Sequence, residues 1–159
     1  MSKPLVVILM GSKADLEHSQ KIAAACREYG LETVLRIGSA HKTPEHVARL
    51  LAEYEAQARP TVYITVAGRS NALSGFTDGA VDAPVIACPP PSEAFGGADI
   101  FSSLRMPSGI APAVVLEPAN AARLAAKILG LADAGVRQAV AGSRRRAAEQ
   151  ILEDDASIR

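Results

Sequence analysis

The sequence predicts a three-layer α/β domain, a central parallel sheet of about five strands with helices on both faces. Three observations carry that prediction. Short apolar runs alternate with stretches of helical period, glycine and proline mark the turns between them, and 159 residues at 48% hydrophobic supply one substantial core.

Residues 5–10, Leu-Val-Val-Ile-Leu-Met, are uninterrupted apolar, as a strand buried on both faces requires. After Gly11-Ser12-Lys13 the period changes. Leu16, Ser19, Ala23 and Cys26 fall near one helical stripe, with Glu17, Gln20, Arg27 and Glu28 elsewhere and Gly30 as the stop. A second strand fits 32–37. Pro44 opens the next helix, where its missing N–H costs nothing, and Val47, Leu50, Leu51 and Tyr54 form its stripe. Pro60 ends that connection, and 61–67 is β-branched enough to be a strand. Residues 68–75 read as a polar loop.

A short strand at 85–88 stops at Pro89-Pro90-Pro91. A helix at about 98–105, a turn at 106–109 and a strand at 113–116 follow. The alanine-rich helix 119–130 suits close packing. The last helix, 133–155, sets Val136, Val140, Ala147 and Ile151 near one side, while Arg144, Arg145 and Arg146 are balanced by Glu149, Glu153 and Asp154. Because a sheet already covered on both faces has little need of it, this helix is expected to pack on a neighbouring subunit of a homo-oligomer. Residues 1–159 thus form one domain, flavodoxin-like in outline.

Lys plus Arg number 17 and Asp plus Glu number 17, so the formal net charge is zero. Neither nucleic acid nor an anionic membrane is an expected partner, since both select a basic footprint. Two cysteines, Cys26 and Cys88, make neither a disulfide scaffold nor a cysteine-based zinc cluster. There is no secretory leader pattern and no apolar stretch of 18 residues, so a soluble, cytoplasmic protein is expected.

In an open parallel sheet, ligands bind beyond the carboxyl ends of the strands, and the unusual loops are expected to gather there. Gly11-Ser12-Lys13-Ala14-Asp15 offers N–H groups to an anion, while Asp15 suits the two hydroxyls of a ribose. Equally, Ser12 or Asp15 serves only as a helix cap. Gly38-Ser39-Ala40-His41-Lys42-Thr43-Pro44 combines a hydroxyl, an imidazole and an ammonium. Ser39 and Lys42 fit a phosphate, leaving His41 either for proton transfer or as a surface residue. Loops 67–75, 88–92 and 104–109 complete the rim. A bound small polar ligand follows, in an enzyme or in a non-catalytic nucleotide-binding regulatory domain.

Other candidates read as structural. His18 and His46 are placed on exposed helix faces, Cys26 in the core, and Cys88 at a buried strand end with no base beside it in sequence. The three histidines form no zinc motif, and no Gly-x-Ser-x-Gly elbow is present.

Five motifs in order resemble the PurE family, the enzymes that make 4-carboxy-5-aminoimidazole ribonucleotide in purine biosynthesis. They are Met10-Gly11-Ser12 with Asp15, Gly38-Ser39-Ala40-His41-Lys42, Ala67-Gly68-Arg69-Ser70-Asn71, Cys88-Pro89-Pro90, and 102–110 around Leu104-Arg105-Met106-Pro107-Ser108-Gly109. The resemblance spans about 5–131. Lys42 replaces the arginine of the bacterial mutases, and Arg69-Ser70-Asn71-Ala72 replaces their Gly-Gly-Ala-Ala-His loop. Both look like the branch that uses carbon dioxide directly. Asn71-Ala72-Leu73-Ser74 departs from the Asn-Gly-Leu-Gly of animal sequences.

The resemblance implies His41, Lys42 and Ser70 as catalytic positions. It implies Gly11, Ser12, Asp15, Ser39, Gly68, Arg69, Asn71 and Ser108 as substrate-binding ones, with Asp15 on the ribose and Ser39 on the phosphate. It further implies no metal or other cofactor, and a homo-octamer with active sites at subunit contacts.

Overall fold

A computed structural model describes residues 3–159. In chain order the strands are β1 Leu5–Met10, β2 Glu32–Ile37, β3 Thr61–Val66, β4 Val85–Ala87 and β5 Ala113–Val114. The α-helices are α1 Leu16–Glu28, α2 Pro44–Glu55, α3 Ala72–Asp78, α4 Phe101–Leu104, α5 Pro118–Leu129 and α6 Ala134–Ser157. Single 3₁₀ segments cover Lys13–Asp15 and Ala94–Ile100. The strands form one parallel sheet in the order β2-β1-β3-β4-β5. The direction of travel across the sheet reverses between β1 and β3, and that reversal opens a crevice at the carboxyl edge.

Strand periodicity divides the interior. Val6, Ile8 and Met10 of β1 face a core shared with Ile22 and Cys26 of α1 and with Ala121, Ala122, Ala125 and Ala126 of α5. Leu5, Val7 and Leu9 face Val47, Leu50, Leu51 and Tyr54 of α2 on the opposite side. β1 and β3 are buried at every position, as central strands covered on both faces must be. The small alanines of α5 let it lie directly against α1 and the sheet.

The expected elements are present with four differences. The second half of the expected 68–75 loop belongs to α3, Ala72–Asp78, which Asn71 caps by accepting the Ser74 N–H at 3.2 Å. A seven-residue helix has too few turns to show a stripe. The expected helix 98–105 is the end of the 3₁₀ segment Ala94–Ile100 followed by the four-residue α4, and Phe95, Gly96 and Gly97 just before it adopt left-handed backbone. The expected strand 113–116 shortens to Ala113–Val114. In α6, Val136 is buried and Val140 half-buried, but Ile151 and Leu152 stand 67% and 68% exposed, so its second half leaves the core. That half makes no intrachain core.

Candidate active site

The loops after β1, β2, β3 and β4 enclose a cavity of about 590 Å³ at the carboxyl edge of the sheet. It brings together Gly11, Ser12, Asp15, Ser39, His41, Lys42, Gly68, Arg69 and Ser70. Each loop is built by its own local chemistry.

Gly11 continues the ladder, its N–H donating to Val66 O at 2.9 Å, and the chain then turns into the 3₁₀ segment. Asp15 Oδ2 accepts from the Ser12 N–H at 3.1 Å and from the Ser12 hydroxyl at 3.3 Å. Capping and cavity lining are therefore not alternatives here, since the same carboxylate does both. The Ser39–Thr43 turn is similarly closed on itself. Ser39 N–H donates to Thr43 Oγ1 at 3.0 Å, Thr43 N–H to Ser39 O at 2.8 Å, and Lys42 N–H to Ser39 Oγ at 3.2 Å. The turn thus projects His41 and Lys42, both exposed, from a stiff base.

Gly38, under that turn, is set by packing. A Cβ there would lie 2.7 Å from Cγ2 of the buried Val47. Arg69 takes a left-handed conformation at φ 59°, uncommon for a residue with a side chain, and it directs the turn that presents Ser70. Among the residues lining the cavity Asp15 is the one carboxylate, and Lys42 and Arg69 are the cations. The lining therefore carries both a hydroxyl-seeking and an anion-seeking end.

Two residues assigned from the motifs lie elsewhere on this protomer. Asn71 is 3% exposed. Its side chain accepts the Ser74 N–H and donates to Ser103 Oγ at 2.9 Å, so it points into α3 and α4 rather than the cavity. Ser108 also lies off this rim, on a segment that precedes β5 instead of following a strand. Loops that precede strands of a parallel sheet run toward its amino edge, where Ala111 N–H meets Asp78 Oδ2 at 2.8 Å. The 104–109 loop is thus absent from the cavity wall.

Conversely, Leu73, Pro90, Pro91 and Ser92 line the cavity. All four belong to loops expected at the rim, 67–75 and 88–92, but none is among the site residues expected there; Leu73 reaches the wall as part of α3.

A second cavity of about 510 Å³ adjoins the first, sharing Gly68, Pro90, Pro91 and Ser92 and adding His18, Lys21, Asp99 and Glu117. His18 is half-buried there, with Nε2 3.5 Å from Cys88 Sγ, so the exposed face expected for it does not hold; Cys88 is buried at its strand end as expected and meets a base only across the fold. A contact across 70 residues leaves no trace in local spacing. Burial pushes the His18 imidazole below its ordinary value, and it pushes the Cys88 thiol up to about 12. His46 is also half-buried, its Nε2 3.2 Å from Ile37 O. Among the described residues no cluster of three metal-ligating side chains occurs, and no helix is long and apolar enough to cross a membrane.

Strand order and cavity position define a flavodoxin-like α/β protein with its ligand site at the switch point of the sheet. The family model described as AIR carboxylase matches residues 5–150. A phosphoribosylaminoimidazole carboxylase of Treponema denticola is 58% identical over 99% of both chains, and one from Archaeoglobus fulgidus is 54% identical over 96% of this chain and 84% of its own. The mouse bifunctional phosphoribosylaminoimidazole carboxylase/phosphoribosylaminoimidazole succinocarboxamide synthetase is 48% identical over 79% of this chain, which is 30% of that protein. The crystal structure of Treponema denticola PurE superposes with a TM-score of 0.97, at 58% identity and covering 99% of each chain. The chain belongs to the AIR carboxylase family, and it is an enzyme of purine biosynthesis.

Proposed function

We propose that this enzyme joins carbon dioxide to C4 of 5-aminoimidazole ribonucleotide, giving 4-carboxy-5-aminoimidazole ribonucleotide directly. The observation that carries this reading is the single cavity that gathers Asp15, Ser39, His41, Lys42 and Ser70 from three loops. Lys42 and the Arg69-Ser70-Asn71-Ala72 sequence, features of the branch that uses carbon dioxide, favour it over the mutase.

The aminoimidazole ring is an electron-rich, enamine-like nucleophile. Its C4 forms a bond to the carbon of carbon dioxide, and one oxygen takes the displaced electron pair as a carboxylate. Lys42 and Ser70 donate to that developing charge. C4 now carries both hydrogen and carboxylate. His41 accepts the hydrogen as a proton, and the C–H electron pair returns to the ring, restoring aromaticity. Such general-base assistance is worth roughly 10²–10⁴-fold. Asp15 holds the ribose hydroxyls, Ser39 with Arg69 holds the phosphate, and this remote clamp sets C4 against the reacting groups. The scheme uses no metal, biotin or nucleoside triphosphate.

The protein acts in the cytoplasm as a homo-oligomer, by resemblance an octamer. Leu131, Ile151, Leu152 and Ile158, all more than 65% exposed around α6, supply apolar surface for subunit contact. Ser108 then reaches a neighbouring subunit's cavity instead of its own. Light scattering on the purified protein measures the assembly, and a monomer would overturn this part.

The deciding assay offers purified enzyme either aminoimidazole ribonucleotide with carbon dioxide or the N5-carboxylated nucleotide. Turnover of the first pair supports the proposal. Preference for the N5-carboxylated substrate identifies a mutase. Nucleotide binding without either reaction identifies a regulatory domain.

A further inference from the structure

The Arg69–Ser70–Asn71 turn has no support from its own residues comparable to the Ser39–Thr43 turn. Its support comes from α4, 31 to 33 residues downstream. The Ser102 hydroxyl accepts the Asn71 N–H at 3.0 Å and lies 2.9 Å from Arg69 O and 2.8 Å from Asp99 O, between which its single proton is shared. Ser103, 2% exposed, accepts from the Asn71 side-chain amide at 2.9 Å. Asn71 Oδ1 in turn accepts the Ser74 N–H and starts α3. The Ser102 hydroxyl therefore holds the backbone on both sides of Ser70, while Ser103 holds the side chain of Asn71.

This matters because Arg69 sits at φ 59°. A left-handed residue with a side chain costs on the order of 1–3 kcal/mol and persists only where its surroundings over-determine it. The Ser102 hydroxyl touches the peptide on each side of Ser70, the carbonyl of Arg69 before it and the N–H of Asn71 after it. Released from it, the turn relaxes toward commoner backbone angles, and Ser70 leaves its place on the cavity wall.

We propose that Ser102 and Ser103 are positioning residues for the reaction, acting through Arg69 and Asn71 to fix Ser70 against the developing carboxylate. The assignment rests on the role given to Ser70 under Proposed function. Neither serine lines the cavity, so neither is a catalytic residue.

Three measurements test this. The first is backbone amide exchange of the segment 69–71 in S102A and wild type. Loss of the acceptor speeds exchange of the Asn71 amide at least about tenfold if the hydroxyl holds the turn. Unchanged exchange overturns the proposal whatever Ser70 does.

The second is steady-state kinetics. A displacement of about 1 Å costs up to roughly 10²-fold, so S102A lowers kcat by tenfold or more. KM for the nucleotide rises less than kcat falls, because Ser12, Asp15 and Ser39 sit on other loops and Arg69 alone of these phosphate and ribose contacts shares the loosened turn. S102T, which keeps the hydroxyl, restores kcat. Failure of S102T to restore it, or a loss confined to KM, refutes the positioning role. S103A serves as the second variant should S102A fold poorly, with the same expected division between kcat and KM.

The third is S70A. If it turns over normally while S102A still loosens the turn, the role assigned to Ser70 is wrong, and the positioning proposal for catalysis falls with it. If S70A is impaired and S102A is not, the role of Ser70 stands and the proposal alone fails.

Discussion

His18 Nε2 lies 3.5 Å from Cys88 Sγ, joining the first turn of α1, at the edge of the second cavity, to the carboxyl end of β4. Burial is the largest influence on His18 and lowers its affinity for a proton, and nearby Lys21 acts in the same direction. The contact with Cys88 and the carboxylates Asp15 and Glu117 oppose it without reversing it. The folded-state value is therefore below the unfolded one, near 6.5.

Between those two values the unfolded chain binds more protons than the folded one, so stability declines as pH falls from about 6.5 toward the lowered value. Above 6.5 this contribution is fully present. We predict that the wild-type melting temperature drops more steeply from pH 7 to pH 5 than that of His18→Gln. Parallel slopes would remove His18 from the account.

The same burial governs the thiols. Cys26 and Cys88 are both fully buried, and both are raised to about 12, so neither is a thiolate near neutrality. Native protein treated with iodoacetamide at pH 8 should remain unlabelled at both positions, and both should label once urea unfolds it. Rapid native labelling of Cys88 would show that its packing against His18 opens.

Gly38→Ala tests how tightly the His41 turn is set. The new Cβ meets Val47 Cγ2 at 2.7 Å, and Val47 is fully buried within α2. Overpacking of this kind costs about 1–3 kcal/mol, read as a lower urea midpoint. Turnover should fall as well, because Gly38 directly precedes the Ser39–Thr43 turn. A variant as stable and active as wild type would show the turn to be adaptable.

His41→Asn should keep the fold, since the side chain is exposed. With the base gone, kcat falls by roughly 10²–10⁴-fold while nucleotide affinity, measured by calorimetry, is largely kept. Near-full turnover would dismiss His41 as the proton acceptor.

Asp15→Asn separates the two roles of that carboxylate. Asparagine retains an oxygen to accept the Ser12 N–H, so stability should stay within about 0.5 kcal/mol of wild type. A hydrogen bond to a charged group is worth about 1.5–3 kcal/mol, so KM for the nucleotide should rise tenfold or more. Loss of stability with unchanged KM would leave Asp15 as a cap alone.

What the sequence determined by itself was whatever is written in near-neighbour chemistry. The apolar run at 5–10, the stripe of α2 and the stop at Pro89 each express a period or a backbone restriction that acts over a few residues, and the sheet and its rim follow. The cavity loops at Gly11–Asp15 and Gly38–Lys42 were legible for the same reason, because their turns are closed by their own side chains. Only tertiary structure decided that Asn71 turns away from the cavity toward Ser103, that His18 meets Cys88, and that the 104–109 loop leaves the rim. Those outcomes depend on hydrogen bonds between residues 31 to 70 positions apart and on which edge of the sheet a connection occupies. Side-chain periodicity within one element carries no information about either.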